Sequence, residues 1–392
     1  MNTYRIVVVG GGYVGVAAAR KIARRVGPGQ ASVTLITAHE TFDERPRWHQ
    51  LATGQAVDAL PMGSLVGDGV ELRIAFATGL DLLRRAVLLA GGESVAYDSL
   101  VLTLGSSVDL TGSRVPGVAE LAHGVTDPAA VSRLARELSA LPDASAVVVV
   151  GGGLTGIELS TEIAETHPRL AVTIASPAEP GTWLSSRARR HLARAFVRLG
   201  VRQLRGRVAR VGADAVTLAT GASVPSALTV WAGGFRANPL LEASGLAVDA
   251  RGRALTDAAF RSVSHPEVWV AGDAGAIAGP WGPSLAMGAR IAPYLTGPLA
   301  ASVEAALAGR EPTPLRFSYQ AECISLGRRD GILQLFHGDQ SPRSLALTGR
   351  AAARSKELIL GLGRWLLRHP GFTVPGSGPA AHDAAHGEMI AA

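Results

Sequence analysis

Two short glycine clusters have the spacing for nucleotide chemistry. Gly10, Gly12 and Gly15 stand in GGGYVG, and Gly151, Gly153 and Gly156 in GGGLTG, 141 residues further on. In such a cluster the first glycine permits a tight turn and the second lets the backbone come close to a pyrophosphate. The third lets the next helix close on its strand. A helix beginning there offers free N–H groups and a positive dipole to phosphate. A packing turn could use the same glycines, but here each cluster sits between a buried-type strand and a helix. The strands are the apolar runs Arg5–Val9 and Ala146–Val150, and helical composition follows each turn. Two such units at this separation imply two nucleotides brought face to face, which suits electron transfer.

Other candidates are placed by these units. A dinucleotide fold usually ends its second strand in an acid that bonds the adenosine ribose. Here Ser32–Thr37 ends in Thr37, with Glu40 beyond it, and Ala171–Ser176 ends in Ser176. Arg187, Arg189 and Arg190 follow the second strand. They suit a 2′-phosphate, hence NADPH, or form the solvated face of a helix over Ser186–Leu199. The loop Thr41–Gly54 carries Arg45, Arg47, Trp48 and His49. Its arginines either pair with a pyrophosphate or cover a flavin, or the loop is a solvated basic segment. Asp273, in VWVAGDAG, follows a buried strand as a ligand or as a turn cap. Glu158 lies near the start of the second helix, read over Ile157–Thr166, and Gly233-Gly234 ends a strand over Leu228–Trp231.

The fold class is α/β, two Rossmann-like dinucleotide-binding modules with a small mixed C-terminal region. The 392 residues, 47% hydrophobic, can bury two or three cores. Residues 70–104 read as a β-meander, and a Pro-interrupted helix is expected near Pro283. Pro312–Phe336 alternates through a turn at Asp330-Gly331. A helix over about Leu345–His369 carries Arg350, Arg354, Glu357, Gly361, Arg364 and Arg368 on one stripe, and Leu358, Leu362, Trp365 and Leu366 on another. Residues 371–392, with His382 and His386, read as disordered. The net charge of +6 comes mostly from scattered arginines, which argues against nucleic acid. Cys323 is the sole cysteine, so no redox-active CxxC pair exists. No signal peptide or spanning run is evident, and a cytoplasmic setting is expected.

The motif series resembles the two-dinucleotide-binding flavoprotein reductases, and most of all the type II NADH dehydrogenases with their apoptosis-inducing-factor-like and ferredoxin-reductase-like relatives. It runs through GGGYVG, RPRWHQLATG, TLGS at Thr103–Ser106, GGGLTGIE, WAGGF at Trp231–Phe235, AGDA at Ala271–Ala274 and ECISLGRRDG at Glu322–Gly331. The resemblance implies FAD and NAD(P)H as cofactors and no metal. It assigns Gly10, Gly12, Tyr13, Val14, Gly15, Thr37, Ala77, Gly105 and Gly272 to FAD. Arg45 or Arg47 would contact the flavin half, and Asp273 the ribityl chain. Gly151, Gly153, Leu154, Thr155 and Gly156 fall to NAD(P)H, with Glu158 and Gly233 near the nicotinamide. It divides the chain into an FAD module over 1–112 and 252–311, an NAD(P)H module over 113–251, a hairpin-and-helix region over 312–370 and a tail over 371–392. It departs in lacking both strand-end acids, and the segment WGPSLAMGARIAP lacks the glutamines that often line a quinone pocket. Sulfide oxidation is disfavoured, because the cysteine pair used by such relatives is missing.

The implied activity is hydride transfer from NAD(P)H to flavin, then electron transfer to a small acceptor, a quinone or an organic substrate of a tailoring pathway. A flavoprotein that has lost turnover is the reading from a different class. The C-terminal helix would pack on its own core or a second subunit as a homodimer. Alternatively it would touch the inner face of a membrane peripherally.

Overall fold

The computed structural model describes residues 3–27 and 29–382. The chain opens with β1 (Tyr4–Val9), α1 (Tyr13–Val26), β2 (Ala31–Thr37), β3 (Glu71–Ile74) and β4 (Ser99–Leu102). It repeats this plan in β5 (Ala146–Val150), α2 (Leu154–Thr166), β6 (Ala171–Ser176), α3 (Ser186–Leu199), β7 (Arg202–Arg205) and β8 (Leu228–Trp231). It then passes through β9 (Val268–Val270) and α4 (Ala292–Leu307), and ends in β10 (Ala321–Ser325), β11 (Gly331–Phe336), β12 (Pro342–Thr348) and α5 (Arg350–Arg368).

Two parallel sheets follow. The first has the order β9-β4-β1-β2-β3. The second has β7-β6-β5-β8, with the short strand Ala122–His123 outside β8. Their central strands are buried throughout Ile6–Val9 and Val147–Val150 because helices cover both faces of a parallel sheet. In the first unit α1 turns Val16, Ala18, Ala19 and Ile22 inward and packs along α4. The small alanines let the two helices come close.

Several expectations change. Only 77–96 of the expected meander is antiparallel; β3 and β4 at its ends join the parallel sheet. The reason lies in SLVL, whose four residues are all buried, as an inner parallel strand requires. The last helix starts at Arg350 instead of Leu345, because residues 342–348 pair with β11. No helix starts near Pro283: a loop persists to Gly288, whose φ is +144°, and α4 begins at Ala292.

The tail is not free where it is described. Phe317 N donates to Pro379 O at 3.2 Å and Ala381 N to Leu315 O at 2.6 Å. Lys21 Nζ holds the carbonyls of Pro370, at 3.1 Å, and Phe372. Buried backbone seeks such partners, and they override the composition that suggested disorder. Residues 383–392, including His386, lie outside the described residues.

Candidate functional site

The two glycine turns have the same geometry. Gly10 has φ +118° and Gly151 φ +128°, values a side chain would resist. A Cβ on Gly15 would lie 1.8 Å from Gly10 O, and one on Gly156 1.9 Å from Gly151 O. The third glycine therefore sets the helix against the turn. A Cβ on Gly12 or Gly153 would meet no protein atom within 4 Å. That open space lies before the first turns of α1 and α2, neither of which has a side-chain cap. Tyr13, Val14, Leu154 and Thr155 thus begin helices whose leading N–H groups suit a pyrophosphate. Each turn fits the pyrophosphate of a dinucleotide.

The Tyr13 side chain turns away from that space. Its hydroxyl donates to Glu44 Oε1 at 2.8 Å, and its ring meets Phe42 edge-on. Burial, then the charge of Glu44, pushes the phenol pKa up. Burial also acts to raise Glu44, but Arg364, Tyr13 and Arg47 together hold it below the usual carboxylate range.

Beside the first turn, Ser106 Oγ donates to Asp273 Oδ2 and Gly288 N to Asp273 Oδ1, both at 2.7 Å. Arg45 donates to the Ser106 carbonyl and lies over the Trp48 ring, 4.9 Å from its centroid. Burial lowers the Arg45 pKa, against the pull of Asp273 and Asp43. Gly105 adjoins Arg45, and Gly272 adjoins Val14. The structure thus brings Arg45, Gly105, Asp273 and the first turn together. This set fits the flavin half of FAD: a carboxylate to accept from ribityl hydroxyls and a cation beside it. Thr37 is buried against Gly11, its carbonyl accepting from Ala75 N at 2.8 Å, and Ala77 starts the small antiparallel sheet just beyond.

Arg47 does not join that set: it bridges Glu44 at 2.9 Å and Glu357 at 2.6 Å. The solvated-loop reading of Thr41–Gly54 is overturned, since Trp48, His49 and Gln50 are buried. Gly233 accepts at its carbonyl from Trp231 Nε1, 2.8 Å away, at the end of β8.

Glu158 is held by residues that sequence reasoning missed. Its Oε1 accepts from Lys356 Nζ at 2.6 Å and from Ser325 N at 2.9 Å. Lys356 also donates to Ser325 Oγ at 2.8 Å. His49 lies between Glu158 and Glu162, at 3.7 and 3.6 Å. Arg328 Nε donates to Glu162 Oε1 at 2.9 Å. Burial, then the positive charges of Lys356, Arg328 and Arg47, holds His49 far below the usual imidazole pKa, so it is neutral near pH 7. Burial also pushes the Cys323 thiol up to about 11. The signal available was compositional: Lys356 is one of two lysines in the chain, and it interrupts an arginine stripe.

Two Rossmann-like units, each with its own dinucleotide turn, fit an FAD-dependent oxidoreductase that takes hydride from a pyridine nucleotide. The profile of the pyridine nucleotide-disulphide oxidoreductase family matches residues 4–290, and the chain belongs to that family. It is 32% identical over 296 residues to a NADH dehydrogenase-like protein of Mycobacterium tuberculosis, covering 69% of this chain and 73% of that protein. It is 25% identical to the demethylphylloquinone reductase of Synechocystis, covering 91% of each. The sulfide:quinone oxidoreductase of Aquifex aeolicus shares the fold, with a TM-score of 0.77 at 17% identity over 94% of this chain and 92% of that one. As a member of the pyridine nucleotide-disulphide oxidoreductase family, this chain uses FAD and NAD(P)H as cofactors.

Proposed function

We propose that this enzyme passes its electrons to a quinone met at a membrane surface. The observation that carries this is the outer face of α5. Leu358 is 74% exposed and Leu362 55%, with Ile359 and Trp365 also exposed. Trp365 stacks on His369 at 4.1 Å and touches Phe372 at 4.7 Å. The helix buries Ala352, Lys356, Leu360 and Leu367 instead. So the expected packing of Leu358, Leu362 and Trp365 on the protein's own core is corrected: that stripe faces outward. Exposed Arg350, Arg354 and Arg368 flank it. An apolar stripe edged by arginine suits an anionic bilayer surface, where quinones dissolve. Among the described residues no helix is long and apolar enough to cross a membrane, so the contact is peripheral. The demethylphylloquinone reductase relative supports a quinone as acceptor.

In this reading the Gly10–Gly15 turn, Arg45 and Asp273 hold FAD, and the Gly151–Gly156 turn and Gly233 hold the pyridine nucleotide. The chemistry FAD supplies when bound is acceptance of hydride and onward release of electrons. The protein's part is to fix two nucleotides and exclude water. Lys356 neutralises the buried Glu158 carboxylate beside the second turn. Arg364 and Arg47, tied through Glu44 and Glu357, fasten α5 to the loop that carries Arg45.

A second reading, an organic acceptor, rests on the segment WGPSLAMGARIAP, which carries no glutamine to line a quinone pocket. One experiment separates the two. Anaerobically reduced protein should be reoxidised by a quinone carried in anionic vesicles, and should pellet with them at low salt but not at high salt. Trp365→Glu should weaken both effects. Reoxidation by quinones no faster than by unrelated dyes would end the quinone reading. A stripe that buries itself in a homodimer would appear as a change of mass in Trp365→Glu without vesicles.

A further inference from the structure

The two units allow an internal comparison at the strand that reads the adenosine ribose. β2 ends in Thr37 and β6 in Ser176, both buried and neither acidic. Each hydroxyl lies against the middle glycine of its turn: a Cβ on Gly11 would come within 2.3 Å of Thr37 Oγ1, and one on Gly152 within 2.8 Å of Ser176 Oγ. Each strand-end carbonyl accepts from the neighbouring chain, from Ala75 N at 2.8 Å and from Gly206 N at 2.9 Å. These two strand ends are built alike.

Their register partners differ. Thr37 pairs with Ile74 of β3, and Ser176 pairs with Arg205 of β7. Paired residues of a parallel ladder project from the same face of the sheet. Arg205 therefore stands on the side of Ser176 Oγ, toward the glycine turn, where the first unit has an apolar side chain. Arg205 is exposed and makes no ion pair among the described residues. The surroundings differ in the same sense. Residues 38–74 contain six acidic residues and three arginines, whereas residues 177–210 contain one acidic residue and nine arginines. Two of those nine are already engaged, Arg198 by Asp330 and Arg202 by Thr173. Arg187, Arg190 and Arg207 are exposed without ion pairs among the described residues.

We infer that the second unit reads a 2′-phosphate, so that NADPH is the preferred hydride donor, with Arg205 as the specificity-determining residue. An acid at the strand end would bond the diol of NADH and repel a 2′-phosphate, whereas a guanidinium offers charge and a forked donor pair to phosphate oxygens. The FAD unit has no use for such a group, because the adenosine ribose of FAD carries no 2′-phosphate, and Ile74 suffices there. The inference rests on the assignment of the second turn to a pyridine nucleotide. The one rival is Glu179, an exposed acid three residues past Ser176, which would favour NADH if it bonded the ribose.

The test is calorimetric titration of the purified flavoprotein with NADP+ and with NAD+, alongside anaerobic bleaching by NADPH and NADH. NADP+ should bind about tenfold more tightly or better. Arg205→Ile, which copies the FAD unit, should erase that advantage and leave NAD+ affinity within about twofold. Arg210→Ala, at an exposed arginine in the short antiparallel strand Val208–Val211, should change neither. The inference is overturned if NAD+ binds as tightly as NADP+, if Arg205→Ile weakens both alike, or if Glu179→Gln selectively loses NAD+. Binding with the predicted preference but without bleaching would sink the proposed function and NADPH as hydride donor, and leave standing only the reading of the 2′-phosphate by Arg205. Binding of neither nucleotide would sink both.

Discussion

Helices α1 and α2 begin from the same turn, yet they bury different things. α1 sends Val16, Ala18, Ala19 and Ile22 against α4, so its packing is apolar and close. α2 buries Ile157, Leu159 and Ile163, but also Glu158 and Glu162. Those carboxylates are satisfied by Lys356, Arg328 and Ser325, which reach them from the C-terminal region, and by Gln55, which follows the loop after β2 and donates to Glu162 Oε1 at 2.6 Å. The comparison separates what the nucleotide demands from what the rest of the molecule demands. The turns match because a pyrophosphate needs one geometry. The helices diverge because α1 faces another helix, while α2 faces a polar seam joining the second unit to α5.

The strongest way to break the comparison is through the glycines. Gly15→Val and Gly156→Val should yield no folded protein, because a Cβ there would occupy the space of a backbone oxygen. Gly12→Val and Gly153→Val should fold, since nothing in the protein meets their Cβ, but each should lose its own nucleotide by about a hundredfold or more. Circular dichroism and flavin absorbance check this. Four variants with one common behaviour would mean that the turns do not divide their work as described.

Next comes the seam. Lys356→Met strands the Glu158 carboxylate inside the protein and should cost about 3–5 kcal/mol in urea unfolding. Adding Glu158→Gln should recover much of that loss. If the single variant is as stable as the parent, Glu158 is not paying a burial cost that Lys356 offsets.

Asp273→Ala should weaken FAD binding by roughly ten- to a hundredfold, about 1.5–3 kcal/mol, as loss of a charge-assisted hydrogen bond does. Pyridine-nucleotide affinity should be unchanged. Full flavin retention after dialysis would leave Asp273 as a brace between Ser106 and Gly288 only.

The smallest expected effect is in pH. His49 is held neutral in the fold, below an unfolded value of about 6.5. The unfolded chain therefore binds the extra proton as pH falls. The contribution of this group is intact above about pH 6.5 and is lost below it, by at most about 1.4 kcal/mol per pH unit. The groups facing His49 are Glu158, Glu162, Lys356, Arg328 and Arg47. Burial pushes Glu162 the other way, so the readout is the difference between the parent and His49→Gln. Parallel melting-temperature profiles for the two would contradict the assignment.

The two turns, their strands and their helices were legible because β-branched runs, glycines and helical residues fall at spacings that only local geometry sets. The place of Asp273 beside the first turn was legible for a related reason: it comes three residues after the buried strand Val268–Val270. Glu158–Lys356 was not legible, since its partners are 198 residues apart and meet only when α5 folds back on α2. The outward stripe of α5 was also misread, because helical periodicity reveals two faces without saying which is covered. Here Lys356 and Leu360 turn inward, while Leu358 and Leu362 face out. His49 looked like part of a wet loop because its burial depends on Glu158 and Glu162, residues of another unit.

The central claim is that two nucleotide sites, one in each unit, act as donor and acceptor of the same hydride. Anaerobic titration of the yellow protein with NADPH and NADH, run beside Gly153→Val, tests it most directly. The account predicts that the parent protein bleaches with a reduced pyridine nucleotide, and that the variant stays yellow and folded but does not bleach. A parent protein that binds flavin yet keeps its full absorbance with both nucleotides would contradict the claim, as would a variant that bleaches at the parent's rate.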